Sequence, residues 1–116
     1  MNQPVITVFG ATGAQGGGLA RAILTDPARR FRLRAVTRRP EAAAARVLAA
    51  SGAEIATADL GDAASVERAL KSAYGAFFVT NFWEHFSAEK ELEQAYIAAG
   101  AAAQAGVEHV IWSSSF

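Results

Sequence analysis

Val5-Ile6-Thr7-Val8-Phe9 is apolar but for one threonine and runs without a break into Gly10-Ala11-Thr12-Gly13-Ala14-Gln15-Gly16-Gly17-Gly18. A short, β-branched apolar run of this kind is the pattern of a strand buried on both faces, as in a parallel sheet. Beyond the glycines, Leu19, Ile23 and Leu24 recur at helical spacing, and Pro27 stops that helix. Strand, glycine turn and helix in immediate succession commit the chain to an α/β architecture, and the remaining sequence must supply partners for that first strand.

It does so in alternation. Phe31 to Thr37 alternates apolar and polar residues, as a second strand with one wetter face would. Pro40 stands where a helix begins, and Glu41 to Ala50 is Ala-rich, with Val47 and Leu48 as packing residues. Glu54 to Ala58 predicts a weaker third strand, ended by Asp59-Leu60-Gly61. Asp62 or Ser65 can cap the next helix, whose apolar face carries Val66, Ala69 and Leu70. Ala76 to Thr80 is a strong fourth strand, Ser87 to Ala105 a long helix closed by Gly106, and Val107 to Trp112 a fifth strand. Five strands joined by long crossovers predict a Rossmann-type, doubly wound parallel sheet, most simply in the order 3-2-1-4-5. At 116 residues the chain, residues 1–116, is expected to form a single domain.

Composition narrows the chemistry. Eleven basic residues balance eleven acidic ones, and no basic run exceeds two residues, so a direct nucleic-acid partner is not expected. The absence of cysteine excludes thiolate catalysis and Cys-ligated metals, and His85 and His109 are too isolated to suggest a metal site. No apolar run approaches the ~18–20 residues of a membrane-spanning helix, and the start of the chain does not resemble a signal peptide. These features predict a soluble, cytoplasmic protein without a membrane partner.

A phosphate group needs donors and positive potential with no bulky side chain in the way. A helix amino terminus supplies unpaired N–H groups and the positive end of the macrodipole, and glycines let the oxygens approach the main chain. Gly10, Gly13 and Gly16 stand three residues apart, a G-x-x-G-x-x-G spacing distinct from the common G-x-G-x-x-G fingerprint. Taken alone the triplet could be an ordinary loop; between a buried strand and an amphipathic helix it is expected to cradle a dinucleotide diphosphate. Gly17 and Gly18 are read either as a tolerated bias or as an aid to close packing of helix, sheet and ligand.

The end of the second strand should select the cofactor. A site for NAD usually carries Asp or Glu there to accept from the ribose hydroxyls. This chain has Thr37-Arg38-Arg39, and a guanidinium can take a 2′-phosphate bidentately, which points to NADP(H). Two solvated arginines before a proline would be the plainer reading. Asp59, followed by Leu60, could accept from the adenine amino group or serve as a turn or cap residue. Thr80-Asn81-Phe82-Trp83 follows the fourth strand, at the edge where ligands of such sheets sit. Asn81 could bond the nicotinamide-side ribose while Phe82 or Trp83 walls a pocket, although core packing would also account for the aromatics.

Val8 to Gly17, Val36-Thr37-Arg38 and Val79 to Glu84 together closely resemble the NmrA-like family, an atypical branch of the short-chain dehydrogenase/reductase superfamily. The resemblance covers nearly the whole chain but only the nucleotide-binding half of a typical member. It implies a Rossmann-type fold binding NADP(H), with Thr12, Gly13, Ala14 and Gln15 near the diphosphate, Arg38 on the 2′-phosphate and Asn81 on the nicotinamide side. Members divide between regulators that sense the redox state of the cofactor, acting through a protein partner, and NAD(P)H-dependent reductases, including oxidoreductases that act on quinones. The regulator is the first expectation here, and a reductase of a quinone or related carbonyl compound the alternative.

The chain also departs from the superfamily pattern. Its reductases use Tyr-x-x-x-Lys, but Phe78 lies four residues beyond Tyr74, and Gly100 four beyond Tyr96. Ser113-Ser114-Ser115 falls where the superfamily often has a catalytic serine, without those partners; a structural role is the plainer reading, and the catalytic residues stay unassigned. An apolar fifth strand so near Phe116 would leave an exposed edge, which leads to the expectation of a truncated fold, the amino-terminal part of a protein at least twice as long.

Overall fold

The computed structural model describes residues 3–12, 14–80 and 88–114. Five strands, β1 (Val5–Phe9), β2 (Arg32–Thr37), β3 (Glu54–Thr57), β4 (Gly75–Thr80) and β5 (His109–Ser114), alternate with four helices. These are α1 (Ala14–Leu24), α2 (Ala43–Ala50), α3 (Ala63–Leu70) and α4 (Ala88–Ala105). All strand pairs are parallel and the sheet order is β3-β2-β1-β4-β5, as the alternation predicts. The order reverses direction between β1 and β4, so their carboxyl ends form a topological switch point.

The period-two pleat sorts the side chains into two cores. Val8, Leu33 and Ala35 face one way and pack with Ala20 of α1 and Leu48 of α2. Phe9, Val36, Ala76 and Phe78 face the other way, against Val66, Ala69 and Leu70 of α3 and Ala98, Ala101 and Ala102 of α4. Burial on both faces is why β1 reads as an unbroken apolar run. The alanines act as spacers: Ala20, Ala45, Ala69, Ala98, Ala101 and Ala102 are all buried, so the helices lie close to the sheet. Phe9 and Phe78 stack with ring centroids 4.6 Å apart beneath α4, and Trp112 of β5 extends the contact, 5.5 Å from Phe78.

One polar device ties the two halves together. Thr7, fully buried in β1, donates through Oγ1 to the Ala69 carbonyl at 3.2 Å. Arg34 of β2 donates through Nη1 to the carbonyls of Ala69 and Lys71, both at 2.8 Å. A cation therefore sits where the last carbonyls of α3 lack helical partners and the macrodipole is negative. Arg34 Nε lies 3.1 Å from Glu54 Oε2, an ion pair too bent to count as a hydrogen bond. The alternation of Phe31 to Thr37 predicts a wet face at Arg34; instead its side chain is 12% exposed, because α3 covers it.

Element boundaries shift from the expected ones where backbone bonding overrides composition. The first helix begins at Ala14, so Gln15 to Gly18 lie within it. Phe31 stands outside β2 and its ring stacks with Tyr74, 6.2 Å between centroids. The second helix starts at Ala43 rather than Glu41, because Ala42 N–H closes a turn onto the Arg39 carbonyl at 3.1 Å. Ala58 falls beyond β3, and Val107 and Glu108 precede β5, where Val107 N–H still bonds the Ala102 carbonyl at 3.1 Å. At the β5 edge Val110, Ile111 and Trp112 are exposed, the open apolar margin that the sequence predicts.

Candidate functional site

The carboxyl ends of β3, β2, β1, β4 and β5 lie side by side and carry, in that order, Asp59-Leu60, Arg38-Arg39, the glycine turn, Thr80 and Ser114. At ~4.8 Å between strands, this row extends about 10 Å to each side of β1. The sheet therefore collects segments far apart in sequence along one edge.

At its centre the chain leaves β1 through Gly10 with φ +70°, a left-handed conformation that favours glycine. Ala11 is buried and Thr12 exposed, and α1 starts at Ala14 with no acidic residue in its first turn. Gly16 lies directly against Gly10: a Cβ on Gly16 would stand 2.2 Å from the Gly10 carbonyl oxygen and 2.6 Å from its carbon. The turn is thus closed so tightly that backbone replaces side chain on the inner face of the helix start. Gly17 is less constrained, with 3.4 Å between its Cβ position and Ala11 O, and Gly18 has open space around it. The backbone donors of the first helical turn point out of the carboxyl edge beside this cradle, with no carboxylate of that turn to repel an anion.

On the β2 side, Arg38 and Arg39 are exposed. The bonds there include Arg39 N–H to Thr37 Oγ1 at 3.0 Å and Ala42 N–H to the Arg39 carbonyl at 3.1 Å. On the β3 side, Asp59 is exposed, with Oδ1 accepting from Gly61 N–H at 2.8 Å, so it does form the turn foreseen as one of its two roles. Leu60 is half-buried against the core. Asp62 is the cap of α3, accepting from Ala64 N–H at 3.2 Å. Ser65, the other candidate cap, reaches back instead: its hydroxyl oxygen accepts from Asp59 N–H at 3.1 Å and lies 2.8 Å from the Asp62 carbonyl. On the far side, β4 ends at Thr80, in register with Ser114 of β5.

Gly10, Thr12, Ala14, Gln15, Gly16, Arg38, Arg39, Asp59, Leu60 and Thr80 are therefore on one edge. Gly13, Asn81, Phe82 and Trp83 lie outside the described residues, as does Ser115. Two hydroxyls that organise the edge, Thr37 and Ser65, are not among the residues expected from the sequence to touch the cofactor. A threonine two residues before an arginine at a strand end is a signal for the first; the second, marked in the sequence only as a possible cap, reaches back six residues to Asp59. Among the described residues no group of three or more His, Cys, Asp or Glu could hold a metal ion, and no helix is long and apolar enough to cross a membrane.

The parallel order, the switch point and the glycine turn onto α1 define a Rossmann-type α/β domain. The model of the NmrA-like family matches residues 2–116, and the chain belongs to that family. Among curated proteins it is 38% identical over 114 residues to the NmrA-like family domain-containing oxidoreductase FrzB of Cladobotryum sp., covering 95% of this chain and 33% of that protein. The Citrobacter sp. triphenylmethane reductase, solved with NADP(H), superposes with a TM-score of 0.79 at 28% identity, over 92% of this chain and 36% of that one. NmrA, a negative transcriptional regulator, superposes with a TM-score of 0.80 at 25% identity, over 99% and 34%. The chain thus spans about a third of the length of the relatives it matches.

Proposed function

We propose that this chain binds NADP(H) along the carboxyl edge and forms the cofactor-binding domain of an NAD(P)H-dependent oxidoreductase. The carrying observation is the cradle itself: Gly10 at φ +70° and Gly16 with no room for a Cβ leave a bare backbone turn at the start of α1. Its N–H groups would take the diphosphate, with Thr12, Gly13, Ala14 and Gln15 around it. Arg38, with Arg39 beside it, would take the 2′-phosphate, and Asp59 would accept from the adenine amino group through the oxygen that Gly61 does not use. Thr80, Asn81 and Phe82 would flank the nicotinamide. That ring supplies a hydride when the cofactor is reduced, and the domain's part is to orient it.

Support for an oxidoreductase comes from the curated relative at 38% identity, whose name gives that class, and from the NADP(H)-bound reductase of the same fold. A cofactor-sensing regulator acting through a protein partner is the second reading, supported by the likeness to NmrA. Calorimetric titration with NADPH and NADH tests the binding: NADPH is expected to bind more tightly, with Arg38→Ala removing the difference. Equal affinities with Arg38→Ala neutral would refute the 2′-phosphate clamp. Oxidation of NADPH by the protein across a quinone panel separates the readings, since binding without turnover favours the regulator.

A further inference from the structure

The turn after β2 shows a feature that the choice of arginines does not explain. Arg38 has a fixed neighbour on each side. Thr37 is held in the sheet opposite Thr57 of β3. Arg39 is held at both of its backbone polar groups, its N–H by Thr37 Oγ1 at 3.0 Å and its carbonyl by Ala42 N–H at 3.1 Å. Of these restraints, only the Thr37 hydroxyl depends on a side chain. Without it the Arg39 N–H, beyond the last paired residue of the strand, would bond to water and the turn would lose the side-chain bond that closes it on the strand side.

We propose that Thr37 is a positioning residue for dinucleotide selectivity: its hydroxyl closes the Thr37–Arg39 turn and so holds Arg38 ready for a 2′-phosphate. This rests on the assignment of Arg38 to that phosphate. The physical basis is preorganisation. Arginine loses rotamer freedom when it clamps a phosphate, and any backbone freedom at its own Cα is lost in addition. Fixing the turn beforehand removes the second cost from the binding step. The effect concerns only the 2′-phosphate, so it raises affinity for NADP(H) and leaves NAD(H) unaffected. Because the N–H in question is at an exposed loop, the cost to folding stability is no more than that of one exposed hydrogen bond.

The test is calorimetric titration of the chain and its Thr37→Val, Thr37→Ser and Arg38→Ala variants with NADPH and NADH. Valine keeps the shape and the β-branch while deleting the acceptor. Thr37→Val is expected to weaken NADPH binding about fivefold, the scale of one net hydrogen bond. NADH affinity should stay at its original value, the thermal midpoint should fall by a few degrees at most, and Thr37→Ser should restore the preference. Loss of affinity for both dinucleotides alike, or an unchanged NADPH-to-NADH ratio in Thr37→Val while Arg38→Ala abolishes it, would overturn the role of Thr37 alone. An unchanged ratio in Arg38→Ala would overturn the 2′-phosphate assignment and the inference with it.

Discussion

Gly16 lies so close to Gly10 that a Cβ atom on it would stand 2.2 Å from the Gly10 carbonyl oxygen, nearer than any non-bonded carbon and oxygen approach. The obstacle is backbone, which cannot swing aside as a side chain can. Gly16→Ala is therefore expected to force the turn open, costing about 1–3 kcal/mol as an overpacked site does, and to weaken dinucleotide binding. Two residues on, Gly18 has nothing near its Cβ position, and Gly100 in α4 is equally open. Gly18→Ala and Gly100→Ala should each stabilise by up to ~1 kcal/mol through helix propensity. Urea unfolding of the three variants measures the contrast; a Gly16→Ala protein as stable as the parent would contradict the geometry.

Arg34 should matter more than its ion pair suggests. Its two bonds to the carbonyls of Ala69 and Lys71 are charge-assisted and lie under α3, whereas Glu54 is 47% exposed. Arg34→Met is expected to cost about 2–3 kcal/mol, because the end of α3 loses its cationic partner. Glu54→Gln should cost less than ~1 kcal/mol, as solvent screens that pair. Comparable losses in the two variants would show that the ion pair, not the helix end, is what Arg34 serves.

Ser65 locks the loop that presents Asp59. It is a buried hydroxyl, and Ser65→Ala leaves the Asp59 N–H without its acceptor. A loss of about 1 kcal/mol is expected, the net worth of one hydrogen bond, since Asp59 is exposed and water can reach its N–H. Hydrogen exchange at the Asp59 amide reads the same bond directly: protection should fall there in Ser65→Ala and stay unchanged in β1.

At the opposite end of the sheet, the Arg30 side chain bonds Asp26, helped by the backbone N–H groups of Arg30 and Ala28, and holds its carboxyl below the ordinary aspartate range. A carboxylate with a lowered folded-state pKa stabilises the fold fully above its unfolded pKa, and that contribution fades as pH falls through the folded value. The Asp26 resonance should titrate below that of an unfolded-chain aspartate, and Arg30→Gln should bring it back toward it. An Asp26 that titrates normally in the parent protein would rule the contact out in solution.

Much of this arrangement is legible in the residues. The buried run Val5–Phe9, the glycines at 10 and 16 and the strand–helix alternation suffice for the parallel order 3-2-1-4-5, because right-handed crossovers leave few other windings. The candidate segments also follow from position, since every strand of such a sheet delivers its carboxyl end to the same edge. The face of Arg34 was not legible: alternation reports which way a side chain points, not what will cover it. Nor was the start of α2, where the turn onto Arg39 outweighs Pro40 as a helix signal.

The glycine turn shows where local information ends. Its spacing, set between an apolar strand and a helical pattern, identifies a tight βα turn, because backbone freedom and side-chain periodicity are properties of neighbouring residues. Which glycines the turn requires was decided by three-dimensional contact. Gly16 meets the Gly10 carbonyl, whereas Gly18, identical in sequence terms, faces open space. The same division holds around it: the clasp of Thr37 on Arg39 joins near neighbours in the chain, but the bonds of Thr7 and Arg34 to the Ala69 carbonyl exist only once strands and helices have been brought together. Hydrogen bonds act over ~3 Å, and no local pattern reveals which distant groups folding will bring within that reach.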